Sequence, residues 1–174
     1  MKPIAAFLAL LLAAGSAEAA VVEATANGFQ LKITADIQAP PSKVYEALLQ
    51  PARWWNADHT FSGSAANLTL EPRAGGCFCE SLPGGGSVRH LEITSVMPGR
   101  SLVLRGALGP FQAMGVEGAL TLAVAPKDQG ASLTLTHTIG GFVPGGLTDW
   151  APRADAMLGE QVARLKKLLE TGSP

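Results

Sequence analysis

The distribution of apolar residues predicts an α+β fold: one curved antiparallel sheet of about seven strands around a single long C-terminal helix, in the order β-α-α-β6-α. Three observations predict it. Seven segments between residues 29 and 139 alternate apolar and polar side chains, and turn-forming residues separate the last six. Two short helical pieces fall between the first and second of those segments. From residue 147 the apolar period changes to three-and-four and holds to residue 170.

The opening MKPIAAFLALLLAAGSAEAA places Lys2 before an apolar run at 4–14 and then the small-x-small site Ala17-Glu18-Ala19. This is the layout of a secretory signal peptide over residues 1–19, cut near Ala19, and the run is short for a membrane span. No cysteine follows it to carry a lipid. The mature chain is therefore expected outside the cytoplasm, in a bacterium the periplasm, without stable membrane insertion after cleavage. Residues 20–28 are a short N-terminal segment, and 29–171 a single domain.

Phe29, Leu31, Ile33, Ala35 and Ile37 alternate with polar partners, the mark of a half-buried strand. Pro40-Pro41-Ser42 stops it, and Ser42 is expected to cap a helix carrying Val44, Tyr45, Leu48 and Leu49. Pro51 opens a second short piece through Trp54 and Trp55. Strands are then expected at 68–71, 76–82, 88–97, 101–106, 114–125 and 131–139, with Pro83-Gly84-Gly85-Gly86, Pro98-Gly99, Gly109-Pro110 and Lys127-Asp128-Gln129-Gly130 among the breaks. Consecutive strands joined by short turns form an antiparallel meander. The last helix is amphipathic, and Gly172 stops it. Its stripe must be buried against the inner face of the sheet, leaving a pocket wherever side chains do not fill the space between.

The words Ile-x-Ala-Pro-Pro-x-x-Val-Tyr-x-Ala-Leu at 37–48, Trp54-Trp55, Glu-Pro-Arg-x-Gly-Gly at 71–76 and Thr-Leu-Thr-His-Thr-Ile-Gly-Gly from Thr134 stand in that order before the terminal helix. Together they resemble the START-like (SRPBCC) superfamily of helix-grip, birch-pollen-allergen-like folds. The branch resembled is that of activator of heat-shock ATPase homologues and polyketide cyclase/dehydrase-like proteins. The resemblance covers essentially the whole mature chain. It implies a hydrophobic or amphipathic small molecule, lipid or polyketide-like, held between sheet and helix. It implies no single activity, because members bind lipids, sterols, hormones and polyketides and only some catalyse.

Composition narrows the partners. Of 174 residues 47% are apolar and 16% charged, so a full core forms. The net charge of −1 and the lack of any basic cluster argue against nucleic acid. No nucleophile elbow, phosphate loop or His-Glu-x-x-His word occurs, and no cofactor or metal is expected.

The two cysteines, Cys77 and Cys79, flank Phe78. In an extended strand their α-carbons would lie about 6.6 Å apart, near the limit for a disulfide unless the strand bulges. Three readings stay open: inert thiols, a strained and labile disulfide, or a metal site lacking a fourth ligand. Pairing Leu82 with Ser87 would set Cys79 opposite His90 and Cys77 opposite Glu92, both facing outward. It would turn Phe78, Leu91, Glu80 and Arg89 inward. Glu80 with Arg89 would then orient a polar ligand head, or form a cross-strand ion pair. His137 shares a face with Leu135 and Ile139, as a general base or as a core histidine. Asp58 and His59 follow the two tryptophans in a loop.

Trp54, Trp55, Phe61, Phe78, Leu91, Phe111, His137, Phe142 and Trp150 are the expected ligand contacts, and the glycine pairs around Pro144 a hinge. The leading reading is a binding protein without catalysis. The second is a cyclase or dehydratase using His137, Glu80 and Arg89. The third, co-chaperone action on a heat-shock ATPase, conflicts with export, since that ATPase and its nucleotide are cytoplasmic.

Overall fold

The computed structural model describes residues 18–174 of the chain. The expected signal peptide lies outside the described residues except for its last two positions. Those two open the first strand, β1 (Glu18–Thr25), which a tight turn joins to β2 (Gly28–Ile37). The segment 20–28 is therefore mostly an edge strand. Its run of Ala and Val does not alternate, because neither face is deeply buried and Val21 and Val22 are exposed.

From β2 the chain passes through α1 (Pro41–Leu48) and three short 3-10 turns at 51–53, 57–59 and 65–67. It then reaches the far edge of the sheet. The strands β3 (Leu68–Leu70), β4 (Cys77–Ser81), β5 (Ser87–Met97), β6 (Ser101–Gly106), β7 (Gly115–Lys127) and β8 (Gly130–Phe142) meander back until β8 docks on β2. The result is one antiparallel sheet in the order β1-β2-β8-β7-β6-β5-β4-β3. It has eight strands where about seven were expected, the extra one being β1. The chain ends in α2 (Trp150–Thr171), closed by Gly172 at φ 85° with its N–H on Leu168 O at 2.9 Å.

α1 departs from expectation at its start. Ser42 lies inside the first turn and caps nothing, while Pro41, which has no N–H to satisfy, occupies the first helical position.

The inner face of the sheet is a continuous apolar layer from Leu31 and Ile33 through Leu133 and Leu122 to Leu104 and Ile93. Leu158, Val162 and Leu165 of α2 press against it, and each such buried side chain contributes roughly 1.5–3 kcal/mol. α2 runs along β2 and β1. The other half of the sheet has to curl to reach it. Two bulges in β5 do this: the register slips between Phe78 and Cys79 of β4, and again between Ile93 and Ser95.

Candidate functional site

Between α2 and the middle of the sheet the core is nearly full. A void of about 30 Å³ remains, walled by Leu48, Trp54, Leu122, Leu158 and Leu165 among others. That volume holds one or two waters and no ligand. The space lies further out, where a cleft of about 270 Å³ opens beside α2. Its walls are Trp55, Phe61, Phe78, Leu108, Pro110 and Met157, and His59 and His90 supply polar edges. A cleft of this size and lining suits part of a drug-sized apolar molecule.

The first bulge of β5 builds the polar end of this cleft. Phe78 pairs with Leu91, but the next pair is Cys79 with Arg89, so His90 is the extra residue. His90 and Leu91 both turn inward, and His90 is only 4% exposed. The expected register holds as far as Cys77–Glu92 and Phe78–Leu91 and fails beyond. His90 does not face outward beside Cys79. Arg89 does, with its side chain 66% exposed and on Glu92 at 3.0 Å. Arg89 is therefore removed from the inward pair; Val88 is the register partner of Glu80, and the bulged His90 reaches the carboxylate with its side chain.

Glu80 is 1% exposed and accepts three hydrogen bonds: from His90 Nε2 at 2.9 Å, from Phe61 N at 3.1 Å and from Ser62 N at 2.5 Å. Burial alone would raise its pKa. The donors of Ser62, Phe61 and His90 outweigh burial and hold the carboxyl below its ordinary value. Burial pushes His90 the other way, below the ordinary imidazole value, although Glu80 partly offsets this. Near neutral pH a carboxylate thus faces a neutral ring. Since a carboxylate only accepts, Nε2 carries the hydrogen and Nδ1 is left with a bare lone pair. Nδ1 is buried without a partner. Phe61 stacks on the ring at 5.8 Å, and Phe78 lies 5.1 Å from it.

The loop that roofs the cleft is tied at both ends. Gln161 of α2 accepts Asn56 N at 2.8 Å, and Glu160 accepts Asn56 Nδ2 at 2.5 Å and meets His59 Nε2 at 3.1 Å. The Asn56 bond, with His59 assisting, holds the Glu160 carboxyl below its usual value against partial burial. Trp55 Nε1 donates to His59 O at 3.0 Å. Glu80 secures the other end through Phe61 and Ser62. Among the described residues no three metal-ligating side chains converge.

The expected contacts divide accordingly. Trp55, Phe61 and Phe78 line the cleft, while Trp54 lines the small void. Leu91 is core beneath the bulge. Phe111 packs on Phe29 at 6.0 Å and on Trp150 at 5.3 Å, forming a separate aromatic cluster, and Phe142 is 75% exposed. His137 does turn inward and is 1% exposed, but it sits edge-on to Phe29 and away from the cleft residues. Both of its ring nitrogens lack partners, and burial lowers its pKa to about 4. The glycine pairs around Pro144 contribute nothing to the cleft. Gly141 N and Leu147 N bond Asn27 O and Ala26 O, each at 3.0 Å, so that loop is fastened to the β1–β2 turn. Sequence reasoning missed His90 because a bulge breaks the alternation used to assign faces. The adjacent pair of buried positions it creates has no period-two signature.

Cys77 and Cys79 are disulfide-bonded, with α-carbons 5.3 Å apart. Both are half-buried, on the face of β4 opposite Phe78 and Glu80. The connectivity is that of the disulfide reading, as against free thiols or a metal site.

Residues 29–170 match the family described as polyketide cyclase / dehydrase and lipid transport, and the chain belongs to it. No curated protein matches the sequence. Among solved structures the chain is similar to protein MLL2253 from Mesorhizobium loti, with TM-score 0.61 and 21% identity over 83% of this chain and 99% of that one. It is also similar to CalU16 from Micromonospora echinospora (0.59, 18%, 92% and 86%) and to the Aha1 dimer from Colwellia psychrerythraea (0.59, 17%, 83% and 98%). At these identities the likeness is one of fold, the START-like helix grip.

Proposed function

We propose that this is an exported binding protein that holds a hydrophobic or amphipathic small molecule, lipid or polyketide-like, in the cleft beside α2. The observation that carries this is an aromatic-walled space of about 270 Å³ lined at one edge by His90, a residue whose Nδ1 is buried without a partner. A guest with an apolar body and a hydroxyl donor at one end matches both, because the donor would satisfy a lone pair that otherwise costs free energy. Trp55 and Phe78 would flank the body, and Phe61, exposed at the rim, would cover it. Export is part of the proposal and rests on the N-terminal sequence alone.

The test is native mass spectrometry of protein recovered from the exported fraction, with extraction of the bound molecule. Replacing Met157 by Trp fills the cleft without touching Glu80 or His90. The extracted species should be lost from Met157→Trp and kept by Phe142→Ala. An empty wild-type protein, or equal loading of both variants, refutes the reading.

A second reading, an enzyme of the cyclase or dehydratase type, is favoured by the Glu80–His90 pair. A neutral imidazole oriented by a carboxylate can take a proton from an acidic hydroxyl or an activated carbon. In that case His90→Gln should abolish turnover of the extracted molecule while retaining its binding. A pure carrier would show no turnover in either protein.

A further inference from the structure

The disulfide lies back to back with the cleft. Cys77 and Cys79 bracket Phe78, which walls it, and Cys79 precedes Glu80, which holds both His90 and the roof loop. Their α-carbons are 5.3 Å apart, whereas two residues of an extended strand span about 6.6 Å. Closing the bond therefore shortens β4 by roughly 1.3 Å between Cys77 and Cys79. The slip in register falls at this same link, and it turns His90 inward. Upstream, β4 is fixed: Ile93 N bonds Gly76 O and Gly75 N bonds Ile93 O, both at 2.8 Å, and a Cβ on Gly76 would run into the carbonyl oxygens of Glu71 and Arg73. Any lengthening must then move Cys79 and Glu80. Where about 0.7 Å of that shift falls along the Glu80–His90 bond of 2.9 Å, the bond passes about 3.6 Å and is lost.

We propose that Cys77–Cys79 is a thiol-exchange site for dithiol reductants, and that its reduction releases Glu80 from His90 and loosens the loop over the cleft. A thiolate of the reductant attacks one sulfur, the S–S bond breaks, and its electron pair leaves on the other cysteine. The reductant's second thiolate then displaces the first cysteine. Two electrons and two protons pass to the protein, and the reductant becomes a cyclic disulfide. The site is suited to this. Both sulfurs are on half-buried residues of the outer face, in the register positions opposite Arg89 and Glu92, which pair with each other at 3.0 Å. A loop this short adds little to folding stability, so the reduced chain keeps its fold.

The experiment equilibrates the purified protein with dithiothreitol, counts free thiols by alkylation and mass, and follows amide exchange with the imidazole resonances of the three histidines. Before reduction no thiol should label. After it both should label, exchange at Phe61 and Ser62 should quicken at least tenfold, and the His90 resonance should move. His137 and the amides of β2 and β8 should not change. A Cys77→Ser/Cys79→Ser protein should reproduce the reduced behaviour without dithiothreitol, and if it does not fold, the in situ reduction still decides. Two thiols labelled at the outset, or a reduced protein with unchanged Phe61, Ser62 and His90, overturn the proposal. Neither outcome depends on what the cleft binds, so this can fail while the carrier reading stands, and the reverse.

Discussion

His137 and His90 are both buried histidines, and they differ in what they face. His90 donates to a carboxylate, whereas His137 faces only apolar groups and Phe29. With a folded pKa of about 4 against an unfolded value near 6.5, the unfolded chain binds more protons at His137 between those limits. Stability contributed by the neutral ring is complete above about pH 6.5 and is lost as pH falls toward 4, by about 3 kcal/mol in all. The lowered pKa of His90 acts in the same direction. His137→Leu should flatten this acid slope and raise stability at pH 5 by about 2 kcal/mol, read from urea midpoints at pH 5 and 7.5. Equal slopes for variant and wild type would assign acid sensitivity to other groups. Glu80→Ala should cost about 3 kcal/mol at pH 7, because it leaves the Phe61, Ser62 and His90 donors unpaired in a buried site. A loss below about 0.5 kcal/mol would show that water replaces the carboxylate. The sequence placed His137 inward from alternation, and Glu80 inward from the more apolar face of its expected hairpin. It misplaced Arg89 and His90 because the residue that decides their direction is an insertion in the pairing, visible only once both strands are aligned.

The elements were legible where a single period runs through them. β2, β7, β8 and α2 have long apolar stripes, and their expected bounds fall within a few residues of the observed ones. β1 was not legible, because an edge strand whose side chains stay largely exposed, even where it meets α2, carries no apolar stripe. The position of the cleft was not legible either. It depends on how far α2 fills the sheet's concavity, a sum over many side-chain volumes that no short pattern encodes. α2 is the element on which that filling rests, and Leu158 and Leu165 are the plugs beside the void of about 30 Å³. Leu158→Ala should therefore cost 2–5 kcal/mol and enlarge that void, measured by denaturant unfolding and by xenon uptake. A cost under about 1 kcal/mol would mean that the helix settles into the gap, and the division between a solid core and an open lateral cleft would then be soft.

At the scale of the whole molecule, the family match begins at residue 29, yet the sheet begins eleven residues earlier with β1. β1 lies against α2, and its turn to β2 receives Gly141 N and Leu147 N, fixing the loop that launches the helix. The β1–β2 hairpin is thus a clasp between the edge of the sheet and the start of α2. Cleavage near Ala19 would remove only the pairs Glu18–Thr34 and Ala19–Ile33, leaving the clasp closed. A chain starting at Ala20 should melt within about 2 °C of the longer one. A chain starting at Gly28 loses the remaining β1 pairs and both bonds to the turn, several kcal/mol in sum, and should melt roughly 5–10 °C lower. Circular dichroism melts of the two truncations decide the matter. If the shorter chain melts with the longer, β1 is an ornament of the fold and the helix is held by the sheet alone. If the chain from Ala20 already melts low, cleavage at that bond is incompatible with the folded edge, and the boundary read from the N-terminal sequence has to move.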